Sequence, residues 1–389
     1  MHLNPFAKKR SKIVAILDIG SGSVGGALLS LGPDGAEIIY YAQSETRSGA
    51  EPDFQRFNSS ISQALKNTIG RLQASGLAAP EEYHCFLSSA FADSQTKFST
   101  YRDTQPRVLT SKSINGIARR NAEAFVRSSS SADFYLLENK ILRFKLDGYE
   151  TAEPIGQTAS EIELAQYLSR SSSAQIRRLA REISGLTHTN KIFFHSYALA
   201  AANALRDYFN VDSFLAVDVS GELTDVAAVI DGVLIENISF PYGANKIIRA
   251  IALELNSWPD EVASELRLLS SGKAGSAVKK KLLPALARAR TKWLEAFSTV
   301  AGMILEHSML PPTLLLTGDA LLNSFIVDWI KSGDFGHLIL NRGQFKPIFL
   351  NHTAIASTLG YHGNIRDTYV LLEAYHLEKL GSLKSVDRA

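Results

Sequence analysis

The sequence predicts a duplicated α/β fold of two lobes, each a mixed sheet with helices packed against it. Three observations carry that expectation. An apolar strand ends in Asp18 and runs into a turn of small residues; the same unit returns at Asp218, 200 residues later; and two amphipathic helical stripes each precede a short apolar strand. The chain has 389 residues, 45% hydrophobic and 21% charged, which is enough for two or more cores and excludes disorder, collagen and a coiled-coil rod. Lys plus Arg is 41 against 39 for Asp plus Glu, so a net charge of +2 supplies no global field, and no nucleic-acid partner is expected.

The elements follow in order. Residues 1–12 carry Lys8, Lys9, Arg10 and Lys12 and read as a solvated basic tail, not a signal peptide, because the apolar segment that follows is broken by Asp18. From Ile13 the pattern is strand, turn at Gly20–Ser23, strand, Gly-Pro-Asp-Gly turn, strand: an antiparallel meander. Phe214–Val219, the second strand through Ile230, the Asp231-Gly232 turn and Val233–Ile235 repeat it. Ile61, Leu65, Ile69 and Leu72 form a helical stripe after a Ser59 or Ser60 cap, and Ile176, Leu179, Ile183 and Leu186 form another. The strands that follow them, His84–Leu87 and Lys191–Phe194, make each helix a crossover.

Residues 91–173 do not fit the repeat and are expected to form an inserted α+β subdomain. It has a helix over Ser111–Phe125, strands at Tyr135–Leu146 and Glu161–Leu164, and flexible polar loops at Ser128–Ser131 and Ser171–Ser173. The expected organisation is a first lobe from 13–90 and 174–210, a second from 211–241 and 312–389, and a helical subdomain at 242–311 inserted in the second. That helical segment includes a long helix over Val278–His307, with Pro284 near its start a candidate interruption. Thr313–Gly318 is a further strand leading into a helix.

Gly20, Gly22 and Gly25 match Gly-x-Gly-x-x-Gly, but the last glycine leads into a strand, which favours a hairpin over the dinucleotide fingerprint. A glycine- and serine-rich hairpin tip can instead turn backbone N–H groups onto phosphate oxygens, and two tips can pinch one polyphosphate. Asp18 and Asp218 at the strand ends are suited to orienting waters on Mg²⁺. Cys85 lies in an apolar run as a core residue, and His195 has no nucleophile–base constellation around it in sequence. The single cysteine suits a reducing compartment, and no apolar run reaches the roughly 18 residues of a membrane span, so a cytoplasmic location is expected. Lys279, Lys280, Lys281, Arg288, Arg290 and Lys292 read as the solvated face of a helix.

Asp-Ile-Gly-Ser-Gly-Ser at Asp18, Asp-Val-Ser-Gly at Asp218 and Leu-Thr-Gly-Asp-Ala at Leu316 resemble the two phosphate motifs and the adenosine motif of the actin and sugar-kinase ATPase superfamily. Phe144–Gly148 with Glu153–Gly156 resembles the insertion domain of its FtsA and PilM branch, and Tyr242–Ile247 resembles that branch's Gly-Gly-Asn step. The resemblance implies a duplicated actin-like ATPase fold with two lobes around a nucleotide cleft. It implies ATP and Mg as cofactors, with Asp18, Gly20, Ser21, Gly22, Ser23, Asp218, Ser220, Gly221, Thr224, Gly243, Glu265, Gly318 and Asp319 as binding residues, and Asp18 and Asp218 reaching Mg through water.

The output it implies is assembly, with hydrolysis slow or absent. The first reading is FtsA-like, linking a division-ring protein to the membrane; the alternative is PilM-like, docking the cytoplasmic tail of a pilus inner-membrane protein. Either uses the inserted subdomain for protein contacts, with self-association and peripheral membrane contact at the inner face of the cell membrane among the family's habits. Three positions depart from the pattern: Glu222 stands where the second phosphate motif has glycine, Asp319 where the adenosine motif has a second glycine, and Leu268 where a lysine is usual. They raise a rival, a pseudo-ATPase scaffold that binds partners without nucleotide; a small-molecule kinase of the same fold ranks last.

Overall fold

The structure is a computed structural model that describes residues 11–32, 35–46, 53–128, 133–306, 308–318, 321–339, 342–350, 352–358, 365 and 367–386. The elements begin with β1 (Lys12–Ile19), β2 (Ser23–Gly32), β3 (Gly35–Glu45), α1 (Phe54–Gln73), β4 (Tyr83–Leu87), β5 (Asp93–Val108) and α2 (Ser111–Arg127). Then come β6 (Phe134–Leu146), β7 (Tyr149–Thr151), β8 (Thr158–Ser172), α3 (Ser173–Thr187), β9 (Ile192–Ser196) and α4 (Tyr197–Phe209). The second repeat supplies β10 (Phe214–Val219), β11 (Thr224–Ile230), β12 (Val233–Phe240), α5 (Ala244–Leu255), α6 (Pro259–Ser270) and α7 (Ser276–Leu305). It continues with β13 (Thr313–Gly318), α8 (Asn323–Lys331), β14 (Lys346–Phe349), α9 (His352–Thr358) and α10 (Thr368–Val386). The chain divides into two compact units: Met1–Ser88, Ala180–Phe209 and Leu350–Ala389, and Ser89–Leu179 with Asn210–Phe349.

The first unit holds a sheet in the order β3-β2-β1-β4-β9, antiparallel through the meander and parallel from β1 outward to β4 and β9. Val14 to Ile19 is buried throughout because helices cover both faces of the central strand, which is why this run reads as continuously apolar instead of alternating. α1 buries Ile61, Leu65, Ile69 and Leu72 as expected. It starts earlier than the Ser59 or Ser60 cap expected from sequence, since the Asp53 carboxylate accepts from the Arg56 N–H at 2.6 Å and caps the helix there.

The second unit repeats the plan in the order β12-β11-β10-β13-β14, with β10–β12 antiparallel and β13 and β14 parallel to β10. Asp231 and Gly232 take φ of 49° and 75°, the paired left-handed values of a tight hairpin turn. The duplication reaches into irregularities: the β2–β3 register slips between Leu28 and Leu29, and the β11–β12 register slips between Ala228 and Val229, again 200 residues apart. After β12 come α5, α6 and α7, and Pro284 does not interrupt α7, whose Trp293 and Phe297 stack at 5.2 Å in the core.

A third sheet, in the same unit, has the order β5-β8-β6-β7 with α2 on one face. Sequence reading missed β5, whose polar, alternately exposed residues lie at the sheet edge and carry little apolar signal. Ser171–Ser173 is not the loop expected: β8 runs to Ser172 and α3 starts at Ser173, because Ser171 Oγ donates to the Phe91 carbonyl at 2.6 Å and the Ser173 N–H to that of Asp133 at 2.9 Å. Of Ser128–Ser131, Ser128 closes α2 and the other three lie outside the described residues. The assignment of all of 312–389 to the second lobe also needs correction. α10 packs on β1, β2, β3 and α4 of the first sheet, burying Val370, Leu371, Leu372, Ala374 and Leu377 there.

Candidate functional site

In each repeat a buried aspartate stands one residue before the end of the first strand, and a bend of three residues in the first repeat and four in the second leads into the next strand. In the first unit Asp18 lies opposite Gly25 of β2 and Phe86 of β4. The Gly20 N–H donates to the Ser23 carbonyl at 3.1 Å and closes the turn. Thr46, just beyond β3, ties the tip down: its N–H donates to the Gly22 carbonyl at 3.0 Å and its hydroxyl to the Ser21 carbonyl at 2.9 Å. Ser23 Oγ accepts from the Gln43 amide at 3.1 Å. The result is a pinned Gly-Ser-Gly bend with no charged side chain in it.

Asp18 has acidic company from far along the chain. Asp367, capping α10, accepts from the Tyr41 hydroxyl at 3.0 Å and the Tyr369 N–H at 2.9 Å. Its Oδ2 would lie 2.7 Å from a Cβ on Gly25, so the carboxylate uses space that only glycine leaves open. Glu373 is fully buried nearby; burial and then the charges of Asp18 and Asp367 push its carboxyl well above the usual range, and burial likewise raises Asp367. Both shifts run toward the neutral acid.

In the second unit Asp218 lies opposite Asp225 of β11 and Thr317 of β13, and accepts from the Thr317 hydroxyl at 2.7 Å. Burial, reinforced by the charge of Asp218, pushes Asp225 up to about 7. The Ser220 N–H donates to the Leu223 carbonyl at 3.1 Å, the same bond at the same place as in the first turn. The rest of this turn differs. The Ser220 and Gly221 carbonyls accept from the Ala244 and Asn245 N–H groups at the start of α5, both at 2.8 Å, and the Glu222 carbonyl accepts from Gly243 at 3.1 Å. Gly243 permits this approach: a Cβ there would lie 2.5 Å from Ser220 O and 2.6 Å from Gly221 O.

Glu222 does not project as a lone charge. Arg249 of α5 donates Nη1 to Oε1 at 2.9 Å and Nη2 to Oε2 at 2.5 Å, and Asn245 Nδ2 adds a bond to Oε1 at 3.2 Å. Burial raises the Glu222 carboxyl, but the Arg249 hydrogen bonds and charge outweigh it and hold it below the usual carboxylate range. The expected Thr224 contact goes elsewhere: its hydroxyl donates to the Tyr242 carbonyl at 3.0 Å and accepts from Trp293 Nε1 at 3.2 Å, inside the core.

Gly318 ends β13 with φ of 139°, where a Cβ would meet Val219 O at 2.5 Å; Asp319 lies outside the described residues. Glu265 of α6 is paired with Lys281 of α7 at 3.2 Å, so the cation beside it comes from another helix and not from position 268, where Leu268 is exposed. The structure thus gathers Asp218, Ser220, Gly221, Gly243 and Gly318 around the ends of β10 and β13, and Asp18 with Gly20–Ser23 at the end of β1. Sequence reading missed Arg249, Asp367 and Glu373. Arg249 and Glu373 were each visible as a lone charge in an apolar helical run, and Asp367 as the acidic residue just before one.

Whether these residues suit Mg-ATP differs between the turns. The first, with its glycines and Asp18, fits a phosphate-binding tip. The second does not: its carboxylate stands where a phosphate turn has glycine, and both the cation and the first helical N–H groups are already engaged by the chain itself. Among the described residues no group of three or more His, Cys, Asp or Glu side chains is placed to hold a metal ion.

No protein-family model and no curated protein sequence matches the chain. Solved structures do. The chain is similar to one in the PilM–PilN type IV pilus biogenesis complex at 12% identity, over 95% of this chain and 98% of that one, with a TM-score of 0.60. The ethanolamine utilization protein EutJ from Carboxydothermus hydrogenoformans is 10% identical over 97% and 92% of the two chains at a TM-score of 0.44. The activator of the 2-hydroxyisocaproyl-CoA dehydratase from Clostridium difficile with bound ADPNP is 12% identical over 97% and 98% at 0.40. These last two are too distant to bear on function. The chain has the actin-like ATPase fold.

Proposed function

We propose that this chain is a PilM-like assembly protein, an actin-fold adaptor that docks the cytoplasmic tail of a pilus inner-membrane protein. The observation that carries the reading is the likeness to PilM, which runs over nearly the whole of both chains and therefore includes the segment at 91–173 as well as the two repeats. That segment forms a four-stranded sheet with a helix on one face, a suitable platform for a protein partner. The division-ring reading ranks second. The apolar residues at the start of α10, which a membrane-linking helix would need on its surface, are buried against β1–β3 and α4. No helix among the described residues is long and apolar enough to cross a membrane.

The test is titration of the full chain with synthetic tails, one from a PilN-type protein and one from a division-ring protein, by calorimetry. Saturable binding of the first alone supports the pilus reading, and binding of the second alone replaces it with the division reading. Binding of neither sinks both.

A further inference from the structure

We infer that Glu222 is a built-in anion for the second hairpin: its carboxylate occupies Arg249, and a polyphosphate reaches this turn only when that carboxylate is removed. The inference is independent of which protein partner the chain docks.

The guanidinium of Arg249 is about nine-tenths buried, with a relative exposure of 9%. A buried cation is retained only where an anion meets it. Here the anion is supplied from within. Both Glu222 oxygens accept from Arg249 in the parallel two-bond geometry that a guanidinium also offers to phosphate, at 2.9 and 2.5 Å. The adjoining N–H groups of Ala244 and Asn245, which at a helix start would otherwise favour an anion, donate to the Ser220 and Gly221 carbonyls. Asn245 Nδ2 completes the enclosure at 3.2 Å from Glu222 Oε1.

The related turn 200 residues earlier has Gly22 at the position of Glu222 and no carboxylate in its bend. An external phosphate at the second turn must therefore displace a two-bond ion pair, whereas one at the first meets no competitor of that kind. A carboxylate fixed to the chain also acts at a high effective concentration, against which a free ligand competes poorly.

The probes are inorganic pyrophosphate and a fluorescent ATP analogue with Mg²⁺, titrated into the full chain and into Glu222→Ala, Glu222→Gln, Arg249→Met and the Glu222→Ala/Arg249→Met double variant. Folding of each is checked by circular dichroism. Binding at the first turn is common to all the variants, so the difference is the readout: Glu222→Ala is expected to gain at least about tenfold in pyrophosphate affinity, or a second equivalent of bound pyrophosphate, over the original chain. The gain should vanish in the double variant, which locates it at Arg249. If Glu222→Ala is too unstable to titrate, Glu222→Gln keeps the shape of the pair without its charge, and its thermal midpoint should rise with pyrophosphate while that of Arg249→Met does not. Either no gain in the Glu222 variants or a gain that survives loss of Arg249 would overturn the inference.

Discussion

The hairpins after Asp18 and Asp218 share a backbone and differ in chemistry. The closing N–H to carbonyl bond is 3.1 Å in both, and each pairs its aspartate with the residue seven positions on, Gly25 in one and Asp225 in the other. Both aspartates have an added carboxyl beside them. In the second unit it comes from the neighbouring strand as Asp225; in the first, Gly25 has no side chain and the vacant volume is used by Asp367 from α10. The difference teaches that the backbone of a duplicated turn is preserved by its hydrogen bonds, while the origin of each side chain is free to drift if the same volume and charge are supplied.

The largest expected effect comes from breaking the close approach that only the second turn makes. Gly243→Ala forces a Cβ to within 2.5–2.6 Å of backbone atoms at Ser220, Gly221 and Leu223, and should cost about 4 kcal/mol, read as a fall in the urea midpoint at unchanged slope. An unchanged midpoint would show that α5 moves away at little cost. Next is proton linkage at Asp225. Its carboxyl, raised from 3.8 to about 7, binds a proton in the folded state that the unfolded chain has already released. The stability it contributes is therefore complete below about pH 4 and lost as pH rises through about 7, with an upper bound of roughly 4 kcal/mol. Asp225→Asn should flatten that decline in urea melts at about pH 5 and about pH 7.5. Glu373→Gln should flatten the corresponding decline in the first unit, since Glu373 is raised in the same direction.

A smaller change is expected at the ion pair. Glu222→Ala leaves Arg249 buried without its carboxylate and should cost about 3 kcal/mol, most of which returns in the Glu222→Ala/Arg249→Met double variant. A double variant no better than the single one would mean that the pair is not coupled. Smallest is Gly20→Ser, which writes the second turn's residue into the first. Position 220 already accommodates a serine in this bend, and the nearest atom to a new Cβ at Gly20 is Ser23 O at 3.2 Å, so thermal melting should move by less than about 0.5 kcal/mol.

Much of this architecture was legible because its signals are periodic. Ile61, Leu65, Ile69 and Leu72 mark α1, and the recurrence of Asp18 at Asp218 announces the duplication. The segment that forms the third sheet stood out as a break in that recurrence, but β5 did not: an edge strand open on one side needs no apolar alternation. The site residues contributed by the two turns could be read locally. Arg249, Asp367 and Glu373 could not be assigned partners, because their contacts depend on which helix lands beside which strand, and no local spacing encodes that. Glu222 stood out as a departure from a motif, yet its direction was set by Arg249 27 residues later.

The packing of α10 bears on how the protein is made. Tyr41 and Asp367 hydrogen-bond across a separation of 326 residues, and Leu371, Leu372 and Leu377 complete a core begun by the first strands. On the ribosome, β1–β3 therefore emerge long before the helix that covers them, while the intervening unit can fold in the meantime. These strands are thus made well before the helix that completes their core, and their sheet is finished late during translation.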